Sequence, residues 1–234
     1  MAAAPSRHRW PLAWRMAFRA SSPWFGIISS AIFLLMLLDP DLRARSIDIV
    51  LPLIAGIQAA LLFSPDDEPA LEAQLAAPRP TAYILYERLG AVFITQGIIG
   101  LLGTILISAI TGAAPLAVII GWLPPTIAAV GLGLLGTFVS RRSSAGVLAV
   151  ILVIPSMFLG ADLLILRFPE LFPLHFFFQP IFAAIGAGHF NAAPELLYAI
   201  NRITVTLIGV LAILRVSFGL RNTEALLGVN RKSD

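Results

Sequence analysis

The sequence predicts an all-α fold: a polytopic transmembrane helix bundle of six spans. An interfacial helix leads it at the N-terminus, and short re-entrant or extracellular helices precede the last span. Three observations predict this. Of 234 residues, 58% are apolar and 12% charged, against about 25% charged in an ordinary soluble domain. Mean hydropathy is +0.89. The apolar residues are gathered into runs near the length needed to cross a hydrocarbon core of about 30 Å.

Residues 1–22 form an N-terminal segment on the cytoplasmic side. Trp10, Trp14 and Phe18 recur every four residues, and Arg15 and Arg19 fall on the other side of the same helix. Aromatic residues on one face and Arg on the other suit a helix lying in the membrane interface. It is either a generic anchor for the first span or an elbow that passes motion into the bundle.

The transmembrane domain occupies residues 23–220. Its spans read Trp24–Leu38, Ile47–Phe63, Leu89–Ile110, Pro115–Val139, Ala145–Ile165 and Ile203–Leu220. Asp39, Pro40 and Asp41 stop the first. Asp48 and Asp162 sit near the ends of the second and fifth, as interfacial carboxylates, as polar lining, or paired with Arg43, Arg45 or Arg167. Pro124 and Pro125 predict a kink or break in the fourth span. Gly97, Gly100, Gly103, Gly131, Gly133 and Gly136 predict close helix approach. Thr95, Gln96, Thr104, Ser108 and Thr126 add mild polarity.

The outer-side segment 166–202 contains a further apolar stretch, Leu171–Gly188, with Pro173 and Pro180 inside it. A full span there would put the chain ends on opposite sides. Half-membrane helices, with irregular backbone buried in protein, keep both ends together. Phe176, Phe177, Phe178 and Phe182 pack at the interface or close the outer end of a path.

The basic residues set the orientation. With six spans and a cytoplasmic N-terminus, the cytoplasmic side receives Arg7, Arg9, Arg15, Arg19, Arg79, Arg88, Arg141, Arg142, Arg215, Arg221, Arg231 and Lys232. The outer side receives only Arg43, Arg45, Arg167 and Arg202. Residues 221–234 then form a cytoplasmic tail. A cleavable signal peptide fits poorly, because Arg45 occupies the region where small residues would be cut.

Several chemistries are absent from the sequence. There is no Cys, and His8, His175 and His189 are scattered, so neither a thiolate nor a histidine metal centre is indicated. The formal net charge of +3 is small and its Arg residues mark the ends of apolar runs, which does not suit nucleic acid. No Gly-rich phosphate loop ends in Lys-Ser or Lys-Thr, and no hydrolase motif occurs. The chain carries no catalytic motif and implies no cofactor of its own.

The cytoplasmic loop 64–88 is the most informative segment. Asp66, Asp67 and Glu68 open a short helical stretch, where negative charge suits exposed amides. Leu71 and Leu75 share a face, with Glu72 beside them. Pro78 and Pro80 end the helix. A second helix, starting near Thr81, carries Tyr83, Tyr86 and Glu87 into the third span. The loop is a stiff docking element or a capped connector.

Glu68, Leu71-Glu72, Leu75-Ala-Ala-Pro78 and Tyr86-Glu-Arg88-Leu, in this topology, resemble the membrane (permease) subunit of an ABC-2 type ABC transporter. The resemblance spans the whole chain in layout and residues 64–88 in motif; Pro69 and the triple acid depart from the family pattern. It implies that Asp67, Glu68, Leu71, Glu72, Leu75, Pro78, Arg79 and Glu87 dock a separate nucleotide-binding ATPase subunit. ATP and Mg would be bound in that partner. It also implies a second membrane subunit, identical or related, contact with membrane lipid, and a multi-pass place in a cell membrane, the bacterial inner membrane. Apolar spans with few charges suggest export of a lipid-like or amphiphilic substrate. The alternative is a structural or assembly subunit of a larger membrane complex.

Overall fold

The computed structural model describes residues 23–62, 81–167 and 194–220, and these are helical throughout apart from short turns. The N-terminal segment, residues 63–80, Leu171–Gly188 and the C-terminal tail lie outside the described residues.

Helix α1 spans Pro23–Met36. At its end the backbone tightens, with Leu38 N–H donating to Leu35 O at 3.1 Å and Asp39 N–H to Met36 O at 3.3 Å. Pro40 has no N–H with which to continue, and a short α2, Pro40–Arg45, turns the chain. Arg43 reaches back to donate from Nε to Leu37 O at 2.8 Å and from Nη2 to Leu38 O at 3.3 Å. The carbonyls orphaned at a helix end are thereby satisfied by a cation that also suits the helix dipole. A π-helical stretch, Ser46–Val50, leads into α3, Leu51–Ala60, with Pro52 tolerated in its first turn.

Helix α4, Thr81–Thr111, is 31 residues long, about 46 Å at 1.5 Å per residue. It exceeds a hydrocarbon core of about 30 Å. It starts where the sequence places the second helix of the loop and runs unbroken into the third span. Gly112, with φ of 71°, supplies the left-handed turn to α5, Pro115–Ser140. That helix continues through Pro124 and Pro125, so the prolines do not break it. Arg141, also left-handed, ends it. Helix α6 is Ser143–Arg167 and α7 is Pro194–Gly219.

Helix α7 begins at Pro194, inside the segment read as an outer-side loop and ahead of Ile203, where the last span was expected to start. Pro194 starts one continuous helix, because no Pro or Gly interrupts the chain between it and Gly209. Asn201 and Arg202 are therefore helical residues, and both are buried.

Among the described residues, three helical stretches are long and apolar enough to cross a membrane: Tyr83–Thr111, Pro115–Ser140 and Tyr198–Gly219. Trp24–Met36, Ser46–Ala60 and Ser143–Ser156 are shorter apolar helical stretches. The outward surface is apolar as well, for example at Trp24, Ile98, Ile105, Leu152, Leu207 and Leu211. Apolar residues outside and polar residues such as Gln96, Thr104 and Arg202 inside reverse the soluble pattern. These features are those of a membrane protein.

Helix directions alternate along the chain. Gln58 meets Gln96 and Leu62 meets Arg88, so α3 and α4 are antiparallel. Trp122 meets Thr104 while Val130 shares a cluster with Val92, so α4 and α5 are antiparallel. Gly136 faces Gly146 while Ala129 clusters with Val150, which makes α5 and α6 antiparallel. Gly209 lies against Ile127 and Gly219 against Phe138, so α7 runs parallel to α5. Helix α1 runs with α4, since Gly26 lies at the level of Gln58 and Phe33 at that of Gly103.

Helix α5 is the centre of the bundle, flanked by α3, α6 and α7. Its small residues permit this. A Cβ at Gly131 would strike the backbone of Gly209, and one at Gly133 the carbonyl of Gly56. Without a hydrophobic drive between helices in lipid, such close packing is a main source of cohesion. The forecast of close approach is met at Gly100, against Trp122, and at Gly103, against Phe33 and Leu37, but a Cβ at Gly97 would meet nothing within 4 Å.

Candidate functional site

The two ends of the bundle differ chemically. At one end α3 finishes and α4 begins, and residues 63–80 connect them. Arg88 is buried here, and its Nη1 donates to the carbonyl oxygen of Leu62. The bond joins the turn that follows α3 to the start of α4, closing the base of the loop. Two residues earlier, the Tyr86 hydroxyl is hydrogen-bonded to the hydroxyl of Ser217 on α7. The roots of the loop are thus fastened to one another and to the last helix. Leu62, Leu85, Leu89, Val92, Leu134, Val216 and Leu220 pack around this clasp as one buried cluster.

Of the residues expected to dock a partner, Glu87 lies in α4 and is partly buried. Asp67, Glu68, Leu71, Glu72, Leu75, Pro78 and Arg79 lie outside the described residues. The interfacial residues Trp10, Trp14, Arg15, Phe18 and Arg19 do too.

Further into the bundle are two polar layers. Gln96 Nε2 donates to Gln58 Oε1 at 2.6 Å, linking α3 and α4, while Gln96 Oε1 has no hydrogen-bond partner. One layer beyond, Trp122 Nε1 donates to Thr104 Oγ1 at 3.0 Å, and Thr104 donates to Gly100 O at 2.8 Å. Gly100 makes room for the indole, to which a Cβ there would come within 2.7 Å. Phe33, Leu37, Ile47, Leu51 and Ile107 seal this layer.

At the opposite end from the clasp, Asp48 projects from the π-helical stretch. Its Oδ1 lies 3.0 Å from where a Cβ of Gly121 would be, so the carboxylate abuts α5. The cation that acts on it electrostatically is Arg202 of α7. Of the cations that nearness along the chain suggested, Arg43 is turned to the end of α1, and the side chains of Arg45 and Arg167 lie outside what is described. Arg202 is 6% exposed, and its guanidinium carbon lies 4.9 Å from the centre of the Tyr198 ring. Its Nε and Nη2 are buried without a hydrogen-bond partner.

Sequence reading missed Gln58, Arg202 and Gly209. Gln58 is a lone amide in an apolar run, and its partner is 38 positions away. Arg202 was placed in a loop, although the unbroken helix-compatible stretch from Pro194 was a usable signal. Among the described residues no cluster of His, Cys, Asp or Glu is arranged to hold a metal ion. Neither a protein-family model, nor a curated protein, nor a solved structure matches the chain.

Proposed function

We propose that this chain is the permease subunit of an ATP-driven ABC-2 type transporter, moving a lipid-like or amphiphilic substrate outward across a cell membrane. The observation that carries the reading is the clasp at the base of residues 63–80. A force-receiving loop must be rigidly rooted, and here Arg88 ties its two roots together while Tyr86 ties one of them to the last helix. A push on the loop would reach α3, α4 and α7 at once. The polar layers at Gln58–Gln96 and Trp122–Thr104 lie along the interface that such a push would shift.

The alternation of helix directions supports six passes, with the clasp end and both termini in the cytoplasm. The clasp end carries Arg88, Arg141 and Arg142, as an inward-facing end should. A single Cys introduced at Ser233, in a chain with no native Cys, is expected to react with impermeant maleimide only after the cytoplasmic side is opened. Labelling from outside in intact cells would require a different number of passes.

The partner is a separate nucleotide-binding ATPase, holding ATP and Mg, with a second membrane subunit completing the assembly. Leu71 and Leu75 fill a groove on that ATPase, as buried apolar anchors do in other interfaces. Leu71→Asp is expected to abolish co-purification of the ATPase while leaving the bundle folded, because the change falls in the loop. Retention of the ATPase at wild-type levels by the mutant would make the loop a plain connector. If no ATPase accompanies the wild-type protein, a structural or assembly subunit of a larger complex becomes the better reading.

A further inference from the structure

Arg202 is a buried cation with one edge of its fork unpaired. In a guanidinium, Nε–H and the Nη2–H beside it point the same way and are spaced to meet two oxygens of one carboxylate or phosphate. These are the two nitrogens that have no partner. One face of the group is covered by Tyr198. Asp48 acts on Arg202 through space but does not reach either orphaned nitrogen. Its carboxylate is held against Gly121 by the π-helical stretch that carries it. Leaving the buried donors of a charged group unpaired is destabilising, because the desolvation is not offset by a bond. A buried ionisable residue in a helix apolar and long enough to cross a membrane commonly marks a ligand path, and π-helical turns recur at such places.

We propose that the unpaired edge of Arg202 is a binding subsite for the anionic group, carboxylate or phosphate, of a ligand. An amphiphile suits it better than a free anion. The side chain is 6% exposed, while Ile203 and Leu207 on the same helix are 59% and 55% exposed and offer apolar surface for a tail. An anion that brings its own apolar cover loses less on entering such a place than a fully hydrated one. The Asp48 carboxylate acts on Arg202 through space and so opposes a second anion at that edge. The inference rests on the bundle alone and does not require ATPase docking.

The test uses the full chain in detergent without any ATPase, so its outcome is separate from that of the docking experiment. Dodecyl phosphate and palmitate are the probes, dodecanol is the uncharged control, and inorganic phosphate is the free anion. Dodecyl phosphate and palmitate are expected to bind and raise the melting temperature, whereas dodecanol does neither. Arg202→Gln is expected to weaken binding at least tenfold, and Arg202→Lys to weaken it several-fold because the fork is lost. Asp48→Asn is expected to tighten binding. Competition by millimolar inorganic phosphate would support the subsite and assign it to free anions; its absence would assign it to amphiphiles. Equal binding by wild type and Arg202→Gln, or equal binding of dodecanol and dodecyl phosphate, would overturn the proposal. If Arg202→Gln does not fold, Asp48→Asn decides: weaker binding in that variant means that the two residues form a structural pair and the edge is not a site.

Discussion

Replacing Gly209 with Leu is expected to cause the largest loss of stability of any single change in the bundle. A Cβ at Gly209 would lie 2.5 Å from Ile127 O and 2.7 Å from Ala128 Cα. These are backbone atoms of α5, so no side chain can rotate away. Helices α5 and α7 would have to separate, and the contact of Gly131 with Gly209 would be lost as well. Overpacking a tight interior costs about 1–3 kcal/mol and more where the backbone must move, so a loss above about 3 kcal/mol is expected. Gly97→Ala is the control. A Cβ there has open space, and alanine's better helix propensity gives a change between zero and a gain of about 1 kcal/mol. Unfolding of the purified protein by SDS titration compares the two. Similar curves for both variants would show that α5 and α7 do not approach closely.

Arg88→Met is expected to have the second largest effect. Methionine keeps much of the stem and removes the donor, leaving the Leu62 carbonyl without that bond. A buried acceptor left unsatisfied costs about 1–3 kcal/mol. Arg88→Lys, which retains a charged donor, should recover part of the loss. In an ATP-driven assembly the functional effect differs from that of Leu71→Asp. The docking surface on residues 66–78 is intact, so the ATPase still co-purifies, but the roots of the loop are no longer tied. ATP hydrolysis should then continue without ATP-dependent movement of the helices, read by spin-label distances between α4 and α7. Wild-type distance changes in Arg88→Met would remove the clasp from the coupling path.

Much of the bundle is legible in the sequence because apolar runs in lipid leave few alternatives. Every backbone N–H and C=O must be satisfied within its own segment, and a helix does this for any apolar run. Helices were therefore correctly placed at α1, α4, α5 and α6 from length, Pro and Gly alone. The start of α4 at Thr81 follows from Pro80 just before it, since the residue ahead of a proline is disfavoured in helical geometry. The start of α7 was misjudged because Glu195, Asn201 and Arg202 look like loop residues by polarity. Their helical state is local: no Pro or Gly interrupts the chain between Pro194 and Gly209, and a helix sets Tyr198 and Arg202 four apart, with the guanidinium over the ring.

The site was far less legible. Arg88 appears in the sequence as one basic residue among those at the ends of runs. Its role as a clasp depends on Leu62 O, a backbone atom 26 positions away. Gln58 and Gln96 are each unremarkable alone, and they matter because antiparallel packing of α3 and α4 puts them at one level.

What the sequence determined by itself is local: where helices form, where Pro and Gly end them, and which end of each run carries Arg. These follow from backbone hydrogen bonding and from the cost of charge in lipid, both of which act within one segment. The tertiary structure alone decided which small residues meet and which polar groups face one another. Gly131 against Gly209, Arg88 against Leu62, and Asp48 near Arg202 across α5 join residues far apart in the chain. Such pairings are selected by the shape of whole helix faces, where a close fit of small residues fixes the register and every buried polar group is then matched, or left unmatched, by what that register brings to it.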